Sequence, residues 1–274
     1  EATSTSTPMT WTVTDEDHWA YAAVRLTSSG GNDALTFTQA PVLCSHLTIE
    51  AGQTITVVNY IDVISGTMPV NPDITARLRY ASTTVINLAN PTFVSTGGSE
   101  GTLTWTGTLG SDVTIPAGVG VKLRLITNES AASFQVQYDS GTHPSYIELP
   151  TSTYINIDNI AYYDDAYPLG SVITNITAGS PVYIRTTVSD PFGHADITGL
   201  NMSVTPSGGT LVANGSYTTG CDEKTYEYIW TPTSAGDYSI VSEAEEGSEG
   251  TVTDTETSTF SVCPITVSAS VTTQ

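Results

Sequence analysis

The stretch ITARLRY, residues 74–80, alternates along its whole length between apolar and polar side chains. Successive side chains of a β-strand point to opposite faces, so Arg77 and Arg79 share one face and Leu78 and Tyr80 the other. A longer stretch, TITVVNYIDV at residues 54–63, also predicts a strand. The pattern recurs along the chain, and helical periodicity is almost absent. The sequence therefore predicts an all-β fold.

Composition narrows the class of partner and of activity. The 274 residues include 7 Lys and Arg against 28 Asp and Glu, for a net charge of −21. Nucleic acids and anionic membrane surfaces require clustered cations, so neither is an expected partner. No apolar run predicts membrane insertion, and no nucleotide-binding, hydrolase or metalloprotease motif is present. We therefore expect a protein that is not an enzyme, and the acidic, Lys-poor composition favours a secreted or cell-surface location.

The composition shifts near residue 165, which divides the chain into two predicted domains. Residues 1–165 and 166–264 each contain several short strands separated by Gly and Pro turns, the pattern of a β-sandwich. Residues 265–274 form one more alternating segment beyond the second domain, either a donor strand or a linker to a next repeat. Residues 8–14 are a second alternating segment without an assigned partner at the other end of the chain.

The second domain resembles the immunoglobulin-like modules of large bacterial surface and adhesin-like proteins. VSDPFG at 188–193, DITG at 196–199 and the later Tyr228, Trp230 and AGDY segment at 235–238 carry this resemblance. The first domain resembles a galactose-binding type of jelly roll, through YINIDNI at 154–160 and the IPAG turn at 115–118. The two resemblances imply a jelly-roll sandwich followed by an immunoglobulin-like sandwich. The jelly-roll resemblance also implies a structural calcium ion on Asp158.

Carboxylates gather around the predicted junction between the domains. The candidate calcium ligands there are Asp158, Asp164, Asp165, Asp190 and Asp196. Calcium takes about six to eight oxygen ligands, and acidic residues of a linker and a loop could supply several of them. The alternative is turn chemistry, in which Asp side chains accept hydrogen bonds from nearby backbone N–H groups. The acidic run EAEEG at 243–247 is predicted to be a solvated hairpin end.

Three cysteines are present, and two of them favour a disulfide. Cys221 precedes a predicted strand and Cys263 ends the last one, so a Cys221–Cys263 bond is predicted for a secreted chain. It would close a loop of about 42 residues and stabilise the fold by roughly 3–4 kcal/mol in the chain-entropy model. The alternative is two reduced, buried thiols. Cys44 is expected to be a small buried side chain, or else an interchain bridge.

Two further groups of residues indicate possible binding surfaces. Trp11, Trp19 and Trp105 are candidates for stacking on sugar rings, with burial in the core as the alternative. Arg77, Arg79, Lys122 and Arg124 alternate on two strands, as a solvated face or as a basic stripe for an acidic ligand or an acidic neighbouring subunit. Sequons at Asn128, Asn175, Asn201 and Asn214 matter only in a host that glycosylates asparagine.

These observations support a structural hypothesis first. The chain is expected to be a structural or adhesive subunit of an extracellular assembly, such as a filament, a stalk or a repeat adhesin. Its partners would be copies of itself or related repeats, joined by β-strand addition. The alternative is a secreted module that binds surface glycans, with the second domain as a spacer. Structural calcium is the one cofactor expected.

Overall fold

The computed structural model describes residues 6–10, 24–26, 33–137, 145–152, 154–206, 209–211, 213–246 and 252–264. These residues form strands, turns and connecting segments, and no helix occurs among them. The all-β class predicted from the alternation is therefore confirmed. Within the same ranges, no helix is long and apolar enough to cross a membrane.

The chain divides into two compact units, Glu1–Tyr154 and Ile155–Gln274. The first contains β1 (Ser6–Thr10), β2 (Val24–Leu26), β3 (Asp33–Thr38), β4 (Leu47–Ile49), β5 (Thr54–Gly66), β6 (Ile74–Tyr80), β7 (Thr83–Ala89), β8 (Thr92–Gly97), β9 (Glu100–Thr108), β10 (Val113–Ile115), β11 (Val121–Thr127), β12 (Ala132–Gln137) and β13 (Tyr146–Pro150). The second contains β14 (Asn156–Tyr163), β15 (Ile176–Thr177), β16 (Val182–Ser189), β17 (Ile197–Thr205), β18 (Gly209–Thr210), β19 (Ala213–Thr218), β20 (Glu223–Trp230), β21 (Gly236–Glu246) and β22 (Val252–Cys263).

The division between the units falls before β14, and not at residue 165 as the composition suggested. The sequence assigned residues 154–160 to the closing strand of the first domain. In the structure β14 pairs with β16 along its whole length, from Asn156 opposite Ser189 to Tyr163 opposite Tyr183. A strand belongs to the unit that satisfies its backbone hydrogen bonds, so β14 opens the second unit.

The first unit is built around the long strand β5. It pairs with β9 on one side and with β12 and β13 on the other, in a seven-stranded sheet completed by β1, β2 and β8. A four-stranded sheet has the order β3-β11-β6-β7, and β4 pairs with β10. Because β1 pairs with β13, residues 8–10 belong to the sheet and are not an unpartnered terminal segment. Residues 11–14 lie outside the described residues.

Alternating burial in the first unit follows the alternation of the sequence. On β6 as far as Leu78 and along the whole of β11, every second residue is buried, including Leu123 and Leu125. Trp105 of β9 is 1% exposed, and its Nε1–H donates a hydrogen bond to the Ile74 carbonyl of β6 at 3.2 Å. This bond ties the seven-stranded sheet to the four-stranded sheet across a shared core.

The second unit has a four-stranded sheet of order β14-β16-β20-β19 and a five-stranded sheet of order β15-β22-β21-β17-β18. One hydrophobic core receives side chains from both sheets, Ile184 and Tyr228 from the first and Met202 and Ile240 from the second. The Tyr228 hydroxyl donates to the Leu200 carbonyl, which joins β20 to β17. The two sheets therefore hold each other through their buried faces.

The predicted Cys221–Cys263 disulfide is wrong. Cys44 and Cys221 are the disulfide-bonded cysteines, whereas Cys263 is an exposed free thiol. Cys221 lies just before the start of β20, whereas Cys263 lies beyond its other end. There the Ala178 N–H donates to the Cys263 carbonyl, and the next N–H, of Gly179, donates to the carbonyl of Pro232, which follows β20. Eight residues of strand separate the two positions by about 25 Å, whereas the Cα atoms of a disulfide lie roughly 5–6 Å apart.

Candidate functional site

A tight turn at the end of β16 fixes the first residue of the candidate site. The Phe192 N–H donates to Asp190 Oδ1 at 2.6 Å, and the Gly193 N–H donates to the Asp190 carbonyl at 3.1 Å. The Asp196 N–H then donates to the Gly193 carbonyl at 3.0 Å, just before β17 begins. Gly193 has a φ of 118°, which a side chain would disfavour. The sequence DPFG therefore builds a turn that holds Asp190 and Asp196 near each other.

Glu246 completes a cluster with these two residues, hereafter the acidic cluster. One carboxylate oxygen from each of Asp190, Asp196 and Glu246 lies within 4.8 Å of the other two. Asp190 is 0% exposed, Glu246 is 2% exposed and Asp196 is half-buried. Among the residues that the structure describes, Asp190 Oδ2 and both carboxylate oxygens of Glu246 are buried without a hydrogen-bond partner. The turn interpretation accounts for Asp190 Oδ1, but it leaves these three oxygens unexplained.

The electrostatics of the acidic cluster disfavour three ionised carboxylates. Burial raises the pKa of Asp190, and the facing Glu246 carboxyl and the N–H groups of Phe192 and Gly193 lower it by less. Burial, the facing carboxyl of Asp190 and the charge of Asp196 raise the pKa of Glu246 to about 10. Two unit charges about 5 Å apart repel by about 3 kcal/mol at an effective dielectric constant near 20. Either a shared proton or a bound cation relieves this repulsion.

The predicted calcium ligands do not all come together. Asp158 is exposed at a bulge in β14, where it accepts a hydrogen bond from Asn156 Nδ2 at 2.7 Å. Asp164 and Asp165 follow the other end of β14, beside the start of β16, whereas Asp190 follows the end of β16. The eight residues of β16 separate them from Asp190 by about 25 Å. The five-residue site is therefore wrong, and only Asp190 and Asp196 of that set meet.

Local backbone contacts explain the roles of Asp164 and Asp165. Asp164 Oδ1 accepts a hydrogen bond from the Ser171 N–H at 2.6 Å, and Asp165 Oδ1 accepts one from the Ala166 N–H at 2.8 Å. Both aspartates are exposed. For these two residues the turn interpretation is correct.

The solvated hairpin end predicted for residues 243–247 is wrong at Glu246, which is buried. In the structure β21 alternates in burial from Tyr238 to Glu246, and its inward face also carries Ile240, Ser242 and Ala244. Extending the alternation of residues 236–241 by five positions would have placed Glu246 on that inward face. The charge of the run concealed its periodicity.

The sugar-stacking prediction fails at Trp105, because this residue is buried in the core of the first unit. A ring with 1% exposure cannot stack on a ligand. Trp11 and Trp19 lie outside the described residues. The glycan hypothesis therefore loses the one candidate that the structure describes.

Four basic residues, hereafter the basic cluster, lie together on the outer face of the four-stranded sheet. Lys122 is directly opposite Arg79, and Arg124 is directly opposite Arg77, on neighbouring strands β11 and β6. The buried Nε atoms of Arg79 and Arg124 have no hydrogen-bond partner in the described part of the protein. Like charges directly opposite each other across a sheet destabilise it, so the basic cluster costs this sheet stability unless counter-charges neutralise it. Four of the seven basic residues of the chain are concentrated here.

Strand β22 presents a long edge. It pairs with β21 from Val252 to Val262, but on its other side it pairs with β15 only at Val262 and Cys263. The neighbouring strand β14 contacts it through side chains: Asp254 Oδ2 accepts the Ile157 N–H, and the Tyr162 hydroxyl donates to Ser258 Oγ. In the described part of the chain, residues 252–261 thus have main-chain pairing on one side.

No known family model matches the chain.

Proposed function

We propose that this protein is a structural or adhesive subunit of an extracellular surface assembly, whose subunits join by β-strand addition at β22. It would act as a building block and not as an enzyme. The single observation that carries the proposal is that, as far as the structure describes the chain, β22 has main-chain pairing on one side only over residues 252–261.

An edge strand offers N–H and C=O groups as a template for another strand. Ten residues of β22 span about 33 Å, enough for a full-length ladder with a strand from a second copy. The alternating segment 265–274, which lies outside the described residues, is the proposed donor. Its length matches that of the open edge.

The positive charge of the basic cluster suits an acidic binding partner. A second copy of this chain would be such a partner. Each copy carries a net charge of −21, and its cations are concentrated on one sheet face. Complementary charge of this kind steers association and fixes its orientation. Copies of the chain or related repeats therefore remain the proposed partners.

The cysteines support an oxidising compartment. Cys44 and Cys221 are disulfide-bonded, and such bonds persist mainly in secreted and surface proteins. A secreted or cell-surface location is accordingly part of the proposal.

The experiment compares two adjacent proline variants in β22, Glu256→Pro and Thr257→Pro. Both side chains are exposed. Backbone N–H groups alternate in direction along a strand, so one variant removes an outward N–H and the other an N–H that serves β21. We expect the variant that lacks an outward N–H to lose assembly while its melting temperature stays near wild type. The variant that lacks an N–H bonded to β21 should melt at a lower temperature. Thr257→Ala, which keeps the N–H, is the control.

Assembly is measured by negative-stain electron microscopy and light scattering of the full chain. Regular filaments or oligomers that one proline variant loses would support the proposal. A wild-type chain that stays monomeric, or assembly that survives both prolines, would overturn it. Saturable binding on a glycan array by a monomeric chain would support the glycan-binding alternative instead.

A further inference from the structure

We propose that Asp190, Asp196 and Glu246 form a calcium-binding site at one end of the second unit. The site is independent of strand addition, because it needs one copy of the chain and no residue of β22. It also differs from the site predicted from the sequence, since it excludes Asp158, Asp164 and Asp165 and includes Glu246.

Buried oxygens without a hydrogen-bond partner distinguish the acidic cluster from an ordinary group of surface carboxylates. Asp190 and Glu246 are almost completely buried, and within the described ranges Asp190 Oδ2, Glu246 Oε1 and Glu246 Oε2 have no hydrogen-bond partner beyond the facing carboxyls of the cluster. Buried polar atoms in folded proteins nearly always have a partner. These three oxygens belong to two of the three converging carboxylates, so a cation bound among those carboxylates would supply a partner that they lack.

The donor set selects the class of cation. All the converging atoms are carboxylate oxygens, which suit hard cations such as Ca²⁺ and Mg²⁺ better than zinc or copper. Calcium binds oxygen at about 2.3–2.6 Å, so ligands on opposite sides of one ion lie about 5 Å apart. The 4.8 Å limit on the spacing of the three oxygens fits within that sphere. Magnesium requires shorter distances and a stricter octahedron, which three carboxylates on separate strand ends supply less well.

The position of the site indicates what the cation does. Asp190 follows β16 of the four-stranded sheet, whereas Asp196 precedes β17 and Glu246 ends β21, both of the five-stranded sheet. A cation bound to all three would fasten the turn 190–196 to both sheets. We therefore expect calcium to stiffen this end of the second unit and to raise the melting temperature of the chain.

Calorimetric titration of the EDTA-treated full chain with CaCl₂, at physiological ionic strength, tests the proposal. Wild type is expected to show one saturable site and a calcium-dependent rise in melting temperature. Glu246→Gln and Asp196→Asn should each weaken calcium binding by at least about tenfold. Asp164→Asn is the matched control, because it removes an exposed carboxylate at the other end of β16 and should leave the affinity unchanged.

Folding and binding are separated by the melting temperature in EDTA. Glu246→Gln replaces the carboxyl by a neutral amide of the same size, so this variant should melt near the wild-type temperature in EDTA and gain nothing from calcium. Absence of saturable calcium binding by wild type would overturn the proposal and favour a shared proton. Unchanged affinity in both variants would overturn the assignment of ligands, and tighter binding of MgCl₂ than of CaCl₂ would overturn the choice of cation.

Discussion

A buried ion pair joins Arg185 of β16 to Glu227 of β20. Arg185 Nε lies 2.8 Å from Glu227 Oε2, and the two side chains are 7% and 4% exposed. Arg185 also donates to the carbonyls of Asp165 and Leu169, and its guanidinium lies 3.8 Å from the centre of the Tyr163 ring. The pair therefore anchors the loop that was expected to bind calcium.

Neutralising Glu227 tests how much this ion pair contributes. Glu227→Gln would leave the Arg185 charge buried without a counter-ion, so we expect a loss of about 3–5 kcal/mol in the free energy of unfolding. Urea denaturation of the full chain measures the change. Glu243→Gln, on the exposed side of β21, is the control and should change stability by less than about 0.5 kcal/mol. A loss for Glu227→Gln as small as the control's would contradict the assigned role.

The same residue gives stability a defined dependence on pH. Burial by itself would raise the pKa of Glu227, but hydrogen bonds from Arg185, Asn214 and the Tyr167 N–H outweigh it and lower this pKa from its ordinary 4.5. The stabilisation is therefore present above pH 4.5 and is lost as the pH falls through the lowered pKa. Below pH 4.5 the wild-type advantage over Glu227→Gln should shrink. A constant difference in the free energy of unfolding between pH 3 and pH 6 would contradict this expectation.

At the scale of strands, alternation was a reliable guide. Residues 74–80 and 182–188 were predicted from their period of two and agree with β6 and β16 to within a residue. Which sheet a strand joins was not predictable in the same way, as β14 demonstrates. Pairing depends on partners far along the chain, and the apolar pattern of a strand does not name its neighbour.

The basic cluster permits an element-scale test of its proposed role. The double variant Arg79→Gln and Arg124→Gln should fold at least as stably as wild type, because it removes opposed like charges. We expect the same variant to assemble more weakly and with less dependence on salt than wild type. The charge-matched control is Ser99→Asp with Ser111→Asp, two exposed positions that shift the net charge equally. Equal assembly of the double variant and wild type in sedimentation would count against an acidic partner.

Across the complete chain, the sequence predicted the all-β class and two of the three residues of the acidic cluster. Asp190 and Asp196 could be paired from sequence because one short turn joins them. Glu246 is fifty residues further along the chain, and only the register of β17 against β21, with Ile197 opposite Glu246, brings it to the turn. The predicted Cys221–Cys263 bond is wrong for the same reason, because the order of the strands within the sheets decides which strand ends lie close together.

The free thiol of Cys263 offers a final test on the intact molecule. Cys263 ends β22 and is exposed, and the proposed donor segment begins two residues later. In dispersed chains a maleimide should therefore label Cys263, and peptide mapping without reductant should find Cys44 and Cys221 unlabelled. Strand addition would cover this junction, so labelling of Cys263 should fall in assembled material and recover when the subunits are dispersed. Cys263→Ser sets the background, and equal labelling in both states would place the subunit junction away from β22.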